Sequence, residues 1–210
     1  MNLQLINKYI NDLYQKQEND SQSRYISKTE LKEFIPVVDE DVARLLKLLL
    51  KVTRAKRVLE IGTSIGYSTT SMAKVVKEFG GKIITIEYDH NVAEQAQKNF
   101  ERAGVAEVIE IKVGDALQIL PELKGEFDFI FQDVDKKLYS ILFDDCLRLL
   151  KKGGLLVAED TLFPVIDLDP KWHYLIPHIE KFNKLVVESS QLDSTILPIG
   201  DGVTIAQKRF

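Results

Sequence analysis

The chain predicts an α/β fold, a doubly wound and mostly parallel sheet, and three features of its 210 residues carry that prediction. Short apolar runs alternate with amphipathic helical segments from residue 57 to residue 158, and strand–helix units of this length build parallel sheets. The first run, Val58-Leu59-Glu60-Ile61, leads through the turn Gly62-Thr63-Ser64-Ile65-Gly66 into a helix at Tyr67-Ser68, the place where open, Rossmann-like sheets bind ligands. Residues 192–198 and 202–208 read as two strands joined by the tight turn Ile199-Gly200-Asp201-Gly202, so one strand of an expected seven runs against the others.

Composition bounds the rest. With 45% hydrophobic and 29% charged residues, the chain reads as one globular domain with a sizeable core. A net charge of −4 does not favour generic nucleic-acid binding, and DNA is not an expected partner. The single cysteine, Cys146, excludes an internal disulfide and fits a reducing compartment; it falls in an apolar helical pattern and reads as buried filler. No stretch approaches the roughly 18 apolar residues of a membrane span, and a cytoplasmic location is expected. Two regions are expected, an N-terminal helical extension over 1–35, acting as substrate lid or dimer contact, and a main domain over 36–210.

In chain order, Leu5, Ile6, Tyr9, Ile10, Leu13 and Tyr14 recur at helical spacing over 2–14. That face must be buried on the main domain or on a second subunit, so a homodimer is expected. Residues 15–23 are polar and read as a loop. Ser27-Lys28-Thr29-Glu30 has the form of a capping box opening a short helix that stops before Pro36. Asp39 can cap the next helix, whose face is Val42, Leu45, Leu46 and Leu49. Lys51, Arg54, Lys56 and Arg57 follow, either as a solvated helix end favoured by the dipole or as a contact for an anionic substrate.

Strands are expected at about 57–61, 82–87, 107–113, 127–132 and 155–158. Helices are expected at about 68–79, over Val92–Phe100 with Gly104 as C-cap, from Asp115 to near Pro121, and at about 137–151, with Gly153-Gly154 before the fifth strand. Beyond a loop at 161–171, Trp172 to about Ser189 is expected to be helical, since Ile176, Ile179, Phe182 and Val186 share a face.

Ligands of such sheets sit beyond the carboxyl ends of the strands. Here each of the first five strands ends in carboxylate: Glu60, Glu87, Asp115, Asp133 with Asp135, and Glu159-Asp160. Asp115 and Asp135 also suit helix N-caps. Gly62 would let the backbone approach a ligand, and Gly66 would let helix and strand pack closely. The middle glycine of the G-x-G-x-x-G dinucleotide pattern is missing, as is a phosphate-binding lysine, whereas Glu87 is placed to hold ribose hydroxyls. A ligand with a ribose and an amine but no phosphates fits, and S-adenosylmethionine (SAM) is one; the other reading is a structural turn with solvent-facing acids. Asp133 and the Glu159-Asp160 pair lie on adjacent strands, and three hard oxygen donors suit Mg2+ or a similar divalent ion. The alternative for this trio is mutual repulsion relieved by solvent.

Val58–Ser68, Phe131-Gln132-Asp133-Val134-Asp135-Lys136-Lys137-Leu138-Tyr139, Glu159-Asp160-Thr161-Leu162 and Ile199-Gly200-Asp201-Gly202 occur in this order. Together they resemble the cation-dependent class I O-methyltransferases of the catechol and caffeoyl-CoA type, over residues 36–208. The resemblance implies that the backbone of Val38 meets the SAM carboxylate, that Glu60, Gly62, Tyr67 and Ser68 line its methionine half, that Glu87 holds the ribose, and that Asp115 and Ala116 contact the adenine. It further implies that Asp133 touches both SAM and metal, that Glu159 and Asp160 complete the metal site, and that Lys136 is the general base. The chain departs from the family pattern at Glu159-Asp160, where Asp-Asn is usual, at Phe163, where Trp is usual, and at Gln132, where an apolar residue is common.

The chemistry of these residues runs the same way. Methyl transfer is an in-line displacement, and the acceptor oxygen must first lose its proton; a divalent ion would lower its pKa and fix its aim. Lys136 can reach the oxygen that Asp133 approaches, and positive charge nearby would disfavour its ammonium. Its alternative, a solvated lysine at a helix start, is disfavoured by the dipole. The expected function is metal-dependent methyl transfer from SAM to a hydroxyl of a small catechol-like or vicinal-diol acceptor. An alternative is O-methylation of 5-hydroxyuridine in tRNA, because the Gly62–Ser68 turn and Pro36-Val37-Val38-Asp39 resemble bacterial tRNA hydroxyuridine methyltransferases; a basic patch of Lys51, Arg54, Lys56, Arg57 and Lys137 beside the pocket would favour it. An alternative of another class is a SAM-binding protein without turnover. Trp172, His173 and Tyr174 are expected lid residues, or else part of a helix packed on the sheet.

Overall fold

The structure, a computed structural model, describes residues 3–14 and 21–209. Seven strands form one sheet in the order β3-β2-β1-β4-β5-β7-β6. β1 (Arg57–Ile61), β2 (Lys82–Glu87), β3 (Ile109–Val113), β4 (Phe127–Gln132) and β5 (Leu150–Ala158) are mutually parallel, while β7 (Val203–Lys208) runs antiparallel to both β5 and β6 (Leu192–Leu197). Successive side chains of a strand point to opposite faces, and both faces are apolar here. Val58, Ile83 and Phe129 pack on one face with α3 (Glu40–Thr53), α4 (Tyr67–Glu78) and α5 (His90–Ala103). Leu59, Ile61 and Ile130 pack on the other with α6 (Ala116–Glu122), α7 (Phe143–Leu149) and α8 (Ile176–Glu188). Among the described residues no helix is long and apolar enough to cross a membrane.

The turn after β1 is shaped by what lies against it. Gly62 has φ +98°, and a Cβ there would stand 1.9 Å from the carbonyl oxygen of Asp133. The missing side chain therefore admits the end of β4, whose Asp133 N–H donates to the Ile61 carbonyl at 2.9 Å. Gly66, at φ +85°, makes room for the ring of Phe100 on α5, so it serves helix–helix packing rather than the strand contact expected of it.

Local expectations are corrected at three places in the chain. Of the polar 15–23 stretch, residues 15–20 lie outside the described residues, but Gln22–Ser27 form a helix, α2, capped by the Ser21 side chain accepting from the Arg24 N–H. Ser27 thus ends a helix instead of opening one: its hydroxyl bonds back to the Arg24 carbonyl at 2.9 Å, and residues 29–35 carry no helix. What won over the capping-box pattern is Tyr25, whose hydroxyl reaches the Ile65 and Gly66 carbonyls and Thr70, tying α2 to the glycine turn. Second, Asp39 stands at the N-cap of α3 but makes no side-chain capping bond. Third, the helix expected at 137–151 is a 3-10 turn at Lys136–Leu138 followed by the short α7, and Gly153-Gly154 lie inside β5. Between the pairs Phe127↔Leu150 and Phe129↔Leu155 β5 bulges, and the glycines supply that bulge.

The N-terminal helix α1 (Leu3–Tyr14) keeps the expected apolar face, but Leu5, Tyr9 and Leu13 are exposed on it. Tyr14 meets the main domain through the Arg44 guanidinium, 4.5 Å from its ring centre.

A paired substitution tests the role of Gly62. Gly62→Ala should lower unfolding free energy by about 3 kcal/mol, since strain at positive φ and overlap with backbone add. Gly80→Ala, at φ +67° with nothing within 4 Å of the new Cβ, should cost only the left-handed strain, about 1 kcal/mol. Denaturant melts of both variants measure the difference; equal losses would show that the Asp133 contact is not tight.

Candidate active site

The parallel strands bring their carboxyl ends to one edge, and the predicted residues there separate into a buried support and an open rim. Glu60 belongs to the support. It has no exposed surface and accepts hydrogen bonds from Ser68 Oγ (2.6 Å), Thr85 Oγ1 (2.6 Å) and Thr69 Oγ1. Thr63 and Thr85 bond each other at 2.6 Å beside it. Glu60 and Ser68 therefore spend polar atoms on this buried hydroxyl network beneath the turn. Tyr67 is buried too, its ring edge-on to Tyr25 at 5.3 Å, bordering a cavity of 230 Å³ under α2 that contains none of the strand-end acids. What Tyr67 offers the turn is its backbone, at the first helical position.

The rim carries the rest. Glu87 accepts from the backbone N–H of Ser64 at 2.8 Å and of Asp89 at 3.0 Å; burial raises its carboxyl from the ordinary value against these bonds. Asp115 caps α6 by accepting from the Leu117 N–H, with Ala116 buried behind it. Tyr88, Val113 and Leu117 are exposed apolar neighbours at the ends of β2 and β3. Val38 is buried, and its carbonyl accepts from Gln22 Nε2 at 3.0 Å, while Ser64 Oγ holds the Ile35 carbonyl at 2.7 Å, so the segment before α3 is laid along the turn.

At the ends of β4 and β5 the acid trio converges. Asp133, Glu159 and Asp160 each offer a carboxylate oxygen, and these atoms lie within 4.8 Å of one another. Asp160 sits at φ +59°, a left-handed conformation that aims it back towards its neighbours. The Ile199–Gly202 turn fixes the chain just beyond, its Gly202 and Asp201 carbonyls accepting from the N–H groups of Thr161 (3.1 Å) and Leu162 (2.9 Å). Lys136 Nζ lies 2.7 Å from Asp133 Oδ1 and 2.7 Å from Asp160 Oδ2.

Burial disfavours the Lys136 ammonium, but the fields of Asp133, Asp160 and Glu159 outweigh it and hold the amine well above the ordinary lysine value. Glu159 and Asp160 are in turn raised, first by burial and then by the neighbouring carboxylates. The acids raise Lys136, whereas for Glu159 and Asp160 burial leads and the neighbouring carboxylates add to it. This excess of negative charge makes the site receptive to further cations, and the donor set fits a hard divalent ion.

The predicted basic patch falls elsewhere. Lys56 and Arg57 lie at the amino end of β1, where their N–H groups hold Asp128, with Arg54 capping α3 and Lys51 paired to Glu78 at 3.6 Å. That is the edge opposite the acids, so of the proposed basic patch only Lys137 stands by the site. Residues 170–175 form a 3-10 turn rather than the start of α8, and Trp172 and Tyr174 are half-exposed with rings 6.3 Å apart. Lys137 Nζ lies 5.0 Å from the Tyr174 ring centre, which sets this turn beside the Lys136 segment. Cys146 is buried and its thiol is pushed up to about 12 by burial, as filler should be. Sequence reasoning gave no role to Thr69, Thr85, Gln22, Tyr25 or the Tyr139 hydroxyl; all act through tertiary hydrogen bonds that no local spacing reveals.

Comparison with known proteins agrees with this geometry. The family described as O-methyltransferase matches residues 20–209. Catechol O-methyltransferase of Niastella koreensis is 38% identical over 165 residues, covering 76% of this chain and 74% of that one. Caffeoyl-CoA O-methyltransferase 1 of Eucalyptus globulus is 31% identical over 186 residues, covering 83% and 75%. Among solved structures, cofactor-bound Rv0187 from MTB aligns with a TM-score of 0.85 at 27% identity over 97% of this chain and 96% of that one. The O-methyltransferase TomG from Streptomyces achromogenes, in complex with SAM, aligns with a TM-score of 0.74 at 29% identity over 83% and 82%.

The buried support makes a pH prediction. Burial raises the Glu60 carboxyl to about 7, although three hydroxyls donate to it. An acid raised on folding keeps its proton longer in the native state, so its contribution is full below the unfolded value of 4.5 and is lost as pH climbs through about 7. Glu60→Gln removes that loss: relative to wild type, the variant should gain about 2 to 3 kcal/mol on going from pH 5 to pH 8 in denaturant unfolding. A difference that does not change with pH would mean that Glu60 ionises as freely folded as unfolded.

Proposed function

Because the chain belongs to the O-methyltransferase family, we propose that it transfers the methyl group of SAM to a hydroxyl of a small catechol-like or vicinal-diol acceptor, with Mg2+ or a similar divalent cation held by Asp133, Glu159 and Asp160. The observation that carries this reading is the meeting of those three carboxylates beside the glycine turn. The names of the catechol and caffeoyl-CoA relatives support the acceptor class, and the SAM complex of TomG supports the donor. A divalent cation so held supplies positive charge that acidifies an acceptor hydroxyl and cancels the field that keeps Lys136 protonated.

This chain's own residues do the remainder. Glu87 takes the ribose hydroxyls, and Asp115 and Ala116 meet the adenine edge, with Tyr88, Val113 and Leu117 as its apolar walls. The Val38 backbone, Gly62 and the N–H groups at the start of α4 receive the methionine half, with Asp133 between donor and acceptor. Lys136 Nζ, already within hydrogen-bond distance of Asp133, takes the acceptor proton. Trp172 and Tyr174 border the acceptor's side as an aromatic wall. Hydroxyuridine in tRNA is the alternative acceptor, weakened by the basic residues lying at the opposite edge of the sheet.

The test is transfer of a labelled methyl group from SAM to a simple dihydroxyphenol, with Mg2+ and with chelator. Label is expected with Mg2+ alone; label in chelator would remove the metal, and label only in hydroxyuridine-bearing tRNA would replace the acceptor. Lys136→Ala should keep SAM affinity and lose most turnover, whereas unchanged turnover would remove Lys136 as base. The exposed face of α1 supports a homodimer, expected as a doubled mass in sedimentation; a monomer at working concentration would refute it.

A further inference from the structure

We infer that Tyr139 is a positioning residue that holds the two halves of the acid trio together through the backbone, an inference that rests on the metal reading above. The trio is split between two strands that part company. The β4–β5 pairing runs up to Gln132↔Ala158, and its last rung is the Glu159 N–H donating to the Gln132 carbonyl at 3.3 Å. Past this point Asp133 on one strand faces Glu159 and Asp160 on the other at close range; the Lys136 ammonium bridges Asp133 and Asp160 through their side chains, but no backbone ladder joins the two strands there.

The Tyr139 hydroxyl supplies what the ladder lacks. It lies 3.1 Å from the Gln132 carbonyl and 3.1 Å from the Glu159 carbonyl, one on each strand and each in the backbone that carries a ligand. One O–H proton is shared between these two acceptors. The ring cannot swing away: it is fully buried and meets Phe182 of α8 edge-on at 5.2 Å. Gln132 returns the contact, its Nε2 donating to the Tyr139 carbonyl at 3.3 Å, so residues 132 and 139 are locked in both directions. The ring centre also lies 5.1 Å from Lys136 Nζ, forming the floor beneath the ammonium. From α8, Asn183 Nδ2 donates to the Thr161 carbonyl at 2.7 Å, steadying the far side of the same segment.

Tyr139→Phe keeps the ring and its packing and deletes the bridge. Titration of Mn2+ into the protein with S-adenosylhomocysteine bound should show affinity about tenfold weaker than wild type, as for the loss of other groups that orient metal ligands. Affinity for S-adenosylhomocysteine in chelator should be unchanged, and turnover should recover at saturating Mn2+. Equal Mn2+ affinity in the two proteins would overturn the inference. So would a parallel loss of S-adenosylhomocysteine affinity, which would make Tyr139 a general packing residue. A wild type that binds no Mn2+ would instead remove the metal reading, and this inference with it.

Discussion

The carboxyl edge of this sheet depends on one close approach, that of the β4 end to the turn after β1. Only a residue without a Cβ can stand at position 62, because the Asp133 carbonyl fills the space a side chain would need. That contact brings the first carboxylate of the acid trio alongside the turn proposed to receive SAM. The β1–β4 boundary is also where the strand order reverses, and helices leave the two sides of it to opposite faces. A crevice is therefore obligatory there, and what the sequence adds is the choice of groups that line it.

Those groups are almost all acidic, and the fold treats them in two ways. Glu60 is sealed in and surrounded by hydroxyl donors, which stabilise its charge without supplying a counter-ion. It acts as a brace between β1, β2 and the first turn of α4. The trio at β4 and β5 is left partly open and given a single ammonium. Burial makes unpaired charge costly in both places, but only the second arrangement can be relieved by a ligand entering from outside. The difference between the sealed carboxylate and the partly open trio is thus one of access and partners, not of residue type.

This explains what could be read from the residues beforehand. The parallel strands and the final hairpin were legible because each strand is bounded by turn chemistry and buried on both faces, and the acids were legible because five strand ends in succession carried one. The buried hydroxyl network around Glu60 was not, since a strand-end position does not say whether a side chain points under the turn or over it; the threonines at 69 and 85 decide that for Glu60, and they come from different elements. The Ser27–Glu30 pattern misled because local capping is worth about 1 kcal/mol, less than seating a partly buried, triply hydrogen-bonded tyrosine two residues earlier. The helix expected at 137–151 failed because Tyr139 is drawn under the strand ends, which forces a tight turn where a regular helix would carry it away.

The Glu159-Asp160 pair, where the family usually has Asp-Asn, takes its meaning from the same geometry. At φ +59° position 160 suits either Asp or Asn, both of which tolerate the left-handed region, so the backbone does not choose between them. The choice is electrostatic. An amide there could accept from Lys136 but could not form an ion pair with it, whereas the carboxylate stands 2.7 Å from Nζ and shares the ammonium with Asp133. The added carboxylate is thereby held by a cation already in the chain, which it shares with Asp133. Lys136, the proposed base, is thus also the cation that Asp160 and Asp133 share in this chain.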